Sequence, residues 1–260
     1  MGLLDTVVER KDVKTPIITI HGGPGSWKTQ FGLDCPSPLF LAFEDGFGNR
    51  PNKSITPKST EEMRAIFVEL AEGLSAGNCQ YKTLVIDSLD HLAPLISKEI
   101  CVAAEKETLA DFGFGKGYEL EAKEWLRLFK GLEKLAKKGL LIVCLAHSHV
   151  RQVIDPSFPE PYDRIEPKLP KKANAVVKEL SDILGATAAD MSVVKDQKTE
   201  RTRAVGTGKY RLHLSPTPAI EAKNRYNMKA VIPFTFNDFQ AEWKRCIAPA
   251  SASTPTPTKA

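Results

Sequence analysis

The sequence predicts an α/β fold with a mostly parallel sheet and helices on both faces of that sheet. An apolar run at residues 16–21 leads through a glycine-rich turn into a helical pattern, which is the strand–loop–helix order of such folds. Further apolar runs at 39–43, 83–88 and 140–146 indicate buried strands, because they lack the alternation of a half-exposed strand. Amphipathic helical patterns separate these strands, and that order favours parallel pairing.

The first strand is followed by a glycine-rich loop and a short helix from Lys28 to Leu33. Except at one position, this stretch follows the pattern G-x-x-x-x-G-K-[ST], in which backbone N–H groups and the helix N-terminus hold phosphate. Lys28 would reach the β- and γ-phosphates, and the Thr29 hydroxyl would complete a Mg²⁺ shell. The predicted nucleotide-binding residues are Gly22, Gly23, Pro24, Gly25, Ser26, Trp27, Lys28 and Thr29.

One residue of the loop departs from the pattern, because Trp27 stands where a glycine is expected. Gly25 is the expected carrier of a positive φ, so the path of the loop is kept. The indole stands on the side from which phosphate approaches. We expect it to turn away from the nucleotide and pack on a neighbouring element; the alternative is that it covers the phosphate site until an oligomer or DNA rearranges it. The alternative is a glycine-rich turn that binds no ligand.

Polar residues follow three of the predicted strands, at the edge where ligands bind in open α/β sheets. Glu44 ends the strand at 39–43, and Asp87 ends the apolar run Leu84-Val85-Ile86. Asp87 in this context indicates a metal-binding Walker B carboxylate, whereas the alternative is a cap for the next helix. His147 follows the strand at 140–146 and is favoured as a sensor of the γ-phosphate; a metal-binding pair with His149 is the alternative.

The remaining patterns predict a helix after the capping box Ser59-x-x-Glu62 up to Gly77, and helices over 89–110 and 119–138. Residues 151–172 contain five prolines and predict an irregular segment. Beyond it we expect a helix over 173–184, a strand at 191–194, a hairpin within 201–214 and a helix over 238–247. The domain is expected to span 1–247 with a core of about 15–236, and the Pro/Ser/Thr/Ala-rich tail 248–260 is expected to be disordered.

Composition narrows the function classes. The five cysteines are scattered and form no C-x-x-C pair, which favours reduced thiols in a cytoplasm. No apolar run has the length of a membrane span, so no membrane partner is expected. Net charge is +4, but residues 195–229 hold nine Lys/Arg against three acids. This basic region predicts contact with a polyanion, although a solvated hairpin has the same composition.

Taken together, these motifs resemble those of RecA-type P-loop ATPases, and most closely the short phage recombination ATPases of the Sak type. The specific segments are the loop 22–29, Leu84–Ser88, and Lys223-Asn224-Arg225 ahead of Pro233-Phe234. In that class the catalytic glutamate ends the strand after the phosphate-loop helix, the position of Glu44. In the AAA+ class it directly follows the Walker B aspartate, but Ser88 follows Asp87 here.

The resemblance implies ATP and Mg²⁺ as cofactors and a homo-oligomer in which Lys223 and Arg225 contact the γ-phosphate of a neighbouring subunit. It implies ATP-dependent binding of single-stranded DNA in phage homologous recombination or annealing, in the host cytoplasm, with a single-strand-binding protein as a further partner. The expected DNA contacts follow the strand that ends at His147. They are Arg151, Lys168, Lys171 and Lys172.

Two other functions stay open at this stage. A nucleotide-binding scaffold on DNA would turn over little or no ATP because of Trp27. A small-molecule P-loop kinase would have no evident use for Lys223, Arg225 or the basic region.

Overall fold

A computed structural model describes residues 15–195 and 202–248. The strands are β1 (Ile17–Gly22), β2 (Pro38–Ala42), β3 (Ser54–Ile55), β4 (Thr83–Asp87), β5 (Leu141–Val153), β6 (Tyr162–Pro167), β7 (Ile183–Lys195), β8 (Thr202–His213), β9 (Lys223–Asn224) and β10 (Val231–Pro233). The helices are α1 (Lys28–Leu33), α2 (Thr60–Ser75), α3 (Leu89–Ala103), α4 (Lys116–Lys137), α5 (Lys171–Leu180) and α6 (Phe236–Ile247). The expected lead-in to residue 14 and the tail from residue 249 lie outside the described residues.

The sheet has the strand order β10-β8-β7-β1-β5-β4-β2-β3, and β1 lies between β5 and β7. All pairs from β3 to β7 along this order are parallel, whereas β8 and β10 add antiparallel strands on one side. The predicted α/β fold with a mostly parallel sheet is therefore confirmed. Because the central strands are parallel, their carboxyl ends, including those of β1, β2 and β4, meet at one edge of the sheet.

Helices cover both faces of the sheet, and β1 contributes side chains to the core on each face because its successive residues point to opposite sides. Ile17 packs into a core with α4 residues such as Trp125 and Phe129. Ile18 packs into a second core with Phe31 of α1 and Phe239 of α6. The amphipathic pattern predicted for the helix at 119–138 is confirmed by α4, whose Trp125, Leu128, Phe129, Leu132 and Leu135 are all buried.

The prediction of an irregular segment over 151–172 is wrong. Strand β5 continues to Val153 and pairs antiparallel with β6, from Ser148 opposite Pro167 to Val153 opposite Tyr162. Pro156, Pro159 and Pro161 lie in the connection between the two strands. Strand β6 pairs with β5 along one edge, and on its other edge Ile165 forms a bridge to Ile220. An edge strand tolerates proline because it leaves one row of N–H groups unpaired, so the prolines did not exclude a hairpin.

Element boundaries differ in the C-terminal third. The helix expected over 173–184 is α5, which ends at Leu180, and the strand expected at 191–194 is the end of the longer strand β7. The hairpin expected within 201–214 is instead a single strand, β8, paired with β7. The register of this pairing shifts at the glycines of β8. On one side of the shift Gly206 is opposite Met191, and on the other Tyr210 is opposite Ala189. The helix expected over 89–110 ends at Ala103.

None of the helices in the described part of the chain combines the length and the apolar character that a membrane crossing needs.

Candidate functional site

The predicted phosphate loop joins β1 to α1 at the carboxyl edge of the sheet and lines a cleft of about 530 Å³. Lys28 points back into the loop. Its Nζ donates to the carbonyls of Gly22 at 3.1 Å and Gly23 at 2.9 Å, and to the Ser26 hydroxyl at 3.3 Å. Burial lowers the pKa of Lys28. The ammonium group is therefore held inside the loop, at the position from which it would meet phosphate oxygens.

Gly22 is required by close packing between the loop and β7. A Cβ at this position would come within 1.8 Å of the Thr187 Oγ1. Gly25 has the expected left-handed conformation, with φ of 71°. Close packing at Gly22 and the positive φ at Gly25 explain why this loop has glycine at these two positions.

Trp27 also has a left-handed backbone, with φ of 62° and ψ of 18°, and its carbonyl accepts the first hydrogen bond of α1 from Phe31 at 3.0 Å. Glycine is therefore favoured here for its backbone as well as for its small size, since this conformation strains a bulky residue. The Trp27 side chain is 58% exposed and borders both the cleft and a neighbouring groove that contains Tyr210 and Phe234.

The Thr29 hydroxyl donates a hydrogen bond of 2.8 Å to Oδ2 of Asp87, at the end of β4. The other oxygen of Asp87, Oδ1, is buried and has no hydrogen-bond partner among the described residues. Burial, together with the neighbouring Glu44 carboxylate, raises the pKa of Asp87 to about 6. A hydroxyl beside a buried carboxylate oxygen without a partner is a donor set that fits Mg²⁺ and its water shell.

Glu44 lies just beyond β2, and β2 pairs with β4 so that Ala42 is opposite Asp87. The glutamate thus faces the same cleft as Lys28 and Thr29. Its Oε2 lies 3.2 Å from Nδ1 of His91, in the first turn of α3. The sheet therefore brings Glu44, Asp87 and the phosphate loop together, as the sequence predicts.

His147 lies where β5 leaves the parallel sheet, opposite Gly22 of β1, and it lines the cleft. The Asp90 carboxylate accepts the main-chain N–H of His147 at 2.9 Å and contacts its Nδ1 at 2.9 Å. These two contacts fix the orientation of the imidazole.

Sequence reasoning missed three residues of this site: Asp90, His91 and Arg50. Asp90 and His91 follow Asp87 within one helical turn, and this spacing could have indicated them. Arg50 lines the cleft and donates to the Gln30 side chain at 3.1 Å and to the Phe47 carbonyl at 2.8 Å. It lies in a loop that carries no recognisable pattern.

Lys223 and Arg225 are not part of the cleft. Strand β9 pairs with β7 at Ile183 and Leu184, which lie beside the start of β1, at the opposite edge of the sheet. Lys223 donates to the carbonyls of Lys178 at 2.6 Å and Glu179 at 2.8 Å, at the end of α5. Arg225 pairs with Asp182 at 2.9 Å. A role for both residues across a subunit interface stays a prediction.

The four residues expected to contact DNA lie at or near the carboxyl edge. Arg151, on the β5–β6 hairpin, pairs with Glu166 at 3.2 Å. The main-chain N–H of Lys168 donates to the His147 carbonyl at 2.8 Å, and its side chain is exposed. Lys171 and Lys172 are exposed at the start of α5.

The phosphate loop, the Thr29–Asp87 pair and the parallel sheet define a P-loop nucleotide-binding protein of the NTPase superfamily. The family model described as "AAA domain" matches residues 14–226, which is well over half of the chain. The chain belongs to this family.

The chain is also similar to the SPbeta prophage-derived uncharacterized protein YorG of Bacillus subtilis (strain 168). The two are 24% identical over 200 residues, which cover 76% of this chain and 58% of that protein. The chain thus spans a little over half the length of this relative. The expected membership of the Sak-type phage ATPases stays a prediction.

Proposed function

We propose that this protein is an ATPase that binds single-stranded DNA in an ATP-dependent manner and acts in phage homologous recombination or annealing. The observation that carries the ATPase assignment is the position of Glu44. It lies on the loop after β2, beside the strand that ends in Asp87, and faces the cleft of Lys28 and Thr29. A carboxylate there can orient or deprotonate a water molecule that attacks the γ-phosphate.

Each residue of the cleft has a distinct part in this mechanism. When nucleotide binds, the Lys28 ammonium group gives up its hydrogen bonds to the loop carbonyls and donates instead to β- and γ-phosphate oxygens. The loop N–H groups hold the phosphates. Thr29 and Asp87 would hold Mg²⁺, which neutralises charge on the phosphates when it is bound. His147, oriented by Asp90, lines the cleft and is proposed to contact the γ-phosphate and so report whether it is present.

Two hairpins support the DNA-binding part of the proposal. Strand β1 lies between β5 and β7. Its pairing with β5 ends at Gly22, opposite His147, and its pairing with β7 ends at His21, opposite Ala186. Both neighbouring strands continue beyond these points. The β5–β6 and β7–β8 hairpins therefore extend past the carboxyl edge on both sides of the phosphate loop.

Exposed side chains of the β5–β6 hairpin support this part of the proposal. On the β5–β6 hairpin, Val150 is 64% and Ile154 is 83% exposed, and Phe158 and Tyr162 form an edge-to-face pair. Arg164 lies over the Tyr162 ring. Exposed apolar and aromatic side chains suit stacking of bases. The two arginines of this hairpin stand among four acids, so we assign the proposed phosphate contacts to the lysines at 168–172.

Oligomerisation belongs to the same proposal. Lys223 and Arg225 would stabilise charge on the γ-phosphate of a neighbouring subunit, and to do so they must first release the end of α5 and Asp182 of their own chain. A single-strand-binding protein is a further proposed partner, since annealing requires that DNA be handed over.

A second candidate function is a nucleotide-binding scaffold on DNA that hydrolyses little ATP. Two observations favour it: Trp27 borders the cleft, and the Lys28 ammonium is engaged by the loop carbonyls. Both would slow entry of the phosphates.

Steady-state ATP hydrolysis, measured without DNA, with single-stranded DNA and with duplex DNA of the same sequence, tests the proposal. We expect hydrolysis that single-stranded DNA stimulates more than duplex does, and loss of hydrolysis in Lys28→Ala. ATP-dependent DNA binding without hydrolysis would favour the scaffold. Hydrolysis that neither DNA changes would contradict the DNA-binding role.

A further inference from the structure

A second group of metal-binding side chains lies beside the Thr29–Asp87 pair. A carboxylate oxygen of Glu44 and one ring nitrogen each of His91 and His147 lie within 4.8 Å of one another. The three residues come from the loop after β2, the first turn of α3 and the middle of β5. The fold therefore assembles this cluster from three separate elements, independently of the phosphate loop.

Hydrogen bonds hold both imidazoles in place. The Asp90 carboxylate lies 2.9 Å from Nδ1 of His147, and the Ser88 hydroxyl lies 2.8 Å from Nδ1 of His91. The two rings are edge-on, with centroids 5.6 Å apart. A carboxylate behind a histidine is the usual arrangement around metal-ligating histidines, because it sets the tautomer and the ring orientation, and Asp90 has this place behind His147. Nδ1 of His91 also lies 3.2 Å from the Glu44 carboxylate, so an ion bound between the two would replace this contact.

The donor set selects the class of metal. Two imidazoles with one carboxylate suit Zn²⁺ and similar transition-metal ions, whereas Mg²⁺ prefers oxygen ligands alone. The side chains of His91, Glu44 and His147 are 45%, 23% and 19% exposed, so an ion can reach them from the cleft.

We propose that Glu44, His91 and His147 bind a transition-metal ion of the Zn²⁺ class, and that this ion inhibits nucleotide hydrolysis by occupying the Glu44 carboxylate. The binding half stands on the geometry alone. The inhibition half rests on the proposed function, in which Glu44 acts on water.

Co²⁺ is the probe for the binding half, because its visible absorption reports imidazole ligation in place of Zn²⁺. Co²⁺ is titrated into the full-length protein in the presence of excess Mg²⁺, and Zn²⁺ is then added to displace it. The variants are His91→Ala, His147→Ala and the control His149→Ala. His149 lies on the same strand, but its ring contacts Glu166 at 3.0 Å instead of joining the cluster.

We expect a saturable Co²⁺ spectrum in the wild type that Zn²⁺ removes, and affinity weakened by more than about tenfold in His91→Ala and His147→Ala but not in His149→Ala. Asp87→Asn should keep the spectrum, since Asp87 belongs to the predicted Mg²⁺ site. A wild type without a spectrum, or equal loss in all three histidine variants, would overturn the site. His91→Asn replaces His91→Ala if thermal melting shows that the alanine variant is unfolded.

The inhibition half is tested by adding Zn²⁺ to the ATPase assay with Mg²⁺ in excess. Wild-type hydrolysis should fall as Zn²⁺ is added, and His91→Ala should need at least about tenfold more Zn²⁺ for the same loss. Equal sensitivity of the two proteins would overturn the inhibition. A wild type that binds Co²⁺ as predicted but hydrolyses no ATP would contradict the ATPase proposal and leave the metal site standing, so the two failures are distinguishable.

Discussion

The Thr29 hydroxyl and the Asp87 carboxylate are joined by a hydrogen bond of 2.8 Å, although the two residues are 58 positions apart in the chain. Thr29 lies in the first turn of α1, and Asp87 ends β4, which is two strands away from β1 in the sheet. The pair is thus assembled by the fold itself. Its geometry leaves the second Asp87 oxygen without a hydrogen-bond partner among the described residues, at the point where Mg²⁺ is expected.

The first prediction concerns the pH dependence of Mg²⁺ binding. Burial and the Glu44 carboxylate raise the pKa of Asp87 to about 6, above the ordinary value for aspartate. Below this pH the protonated carboxyl binds metal poorly, so affinity for Mg²⁺–ATP should fall by up to about tenfold per pH unit. Titration calorimetry above and below this pKa measures the effect.

The same raised pKa has the opposite consequence for stability of the protein without metal. The folded protein binds this proton more tightly than the unfolded chain does, so the contribution of Asp87 to stability increases as the pH falls through 6. Asp87→Asn removes both dependences and serves as the control. Mg²⁺–ATP affinity that is equally pH-dependent in Asp87→Asn would show that another group titrates.

The second prediction concerns Trp27. Trp27→Gly should stabilise the protein by about 1 kcal/mol, because glycine adopts φ of 62° without strain and the exposed indole contributes little buried area. ATP affinity should change by less than about tenfold. Trp27→Ala is the matched control, since it removes the indole but keeps the Cβ that causes the strain. Denaturant unfolding of the three proteins decides the matter: equal stabilities for Gly and Ala would exclude a backbone effect.

The positions around the phosphate loop were predictable from sequence because their signals are local. An apolar run that ends in a carboxylate places Asp87 at a strand tip, and parallel pairing brings Glu44 to the same edge. The positive φ expected at Gly25 is confirmed, but the positive φ of Trp27 was not predicted.

The rest of the site depends on contacts between distant elements. Asp90 and His91 were missed because their importance comes from the approach of α3 to His147 and Glu44. The β5–β6 hairpin was missed because its prolines resemble those of a loop, and nothing local shows that β6 is an edge strand. The partners of Lys223 and Arg225 lie some 45 residues earlier in the chain, beyond the reach of any sequence pattern.

The third prediction concerns DNA and salt. Replacing Lys168, Lys171 and Lys172 together by alanine should weaken single-strand affinity and flatten its dependence on salt concentration, because fewer counterions are released on binding. The control removes three lysines from the end of α4, which leads into the opposite edge of the sheet: Lys130, Lys134 and Lys137. Fluorescence anisotropy over a range of salt concentrations compares the two triple variants. Equal slopes would place the DNA path elsewhere.

The fourth prediction concerns Arg225. Its guanidinium pairs with Asp182, whose side chain is 2% exposed and also accepts the Ile17 N–H at 3.0 Å. Arg225→Ala should therefore lower the free energy of unfolding by about 1–3 kcal/mol, since a buried carboxylate loses a charged partner. Arg211→Ala is a control, because Arg211 pairs at 3.1 Å with Asp190, whose side chain is 31% exposed. Unchanged stability together with lost ATP hydrolysis would contradict the structural role and favour the role across a subunit interface.

The central claim is that Glu44 acts on the water that attacks the nucleotide, and the most direct test compares Glu44→Gln with Asp45→Asn. Each variant replaces one carboxylate by its amide, at adjacent positions after β2. Both variants should bind Mg²⁺–ATP as the wild type does, and ATP hydrolysis with single-stranded DNA should fall by at least about a hundredfold in Glu44→Gln only. Wild-type turnover in Glu44→Gln, or an equal loss in Asp45→Asn, would contradict the account.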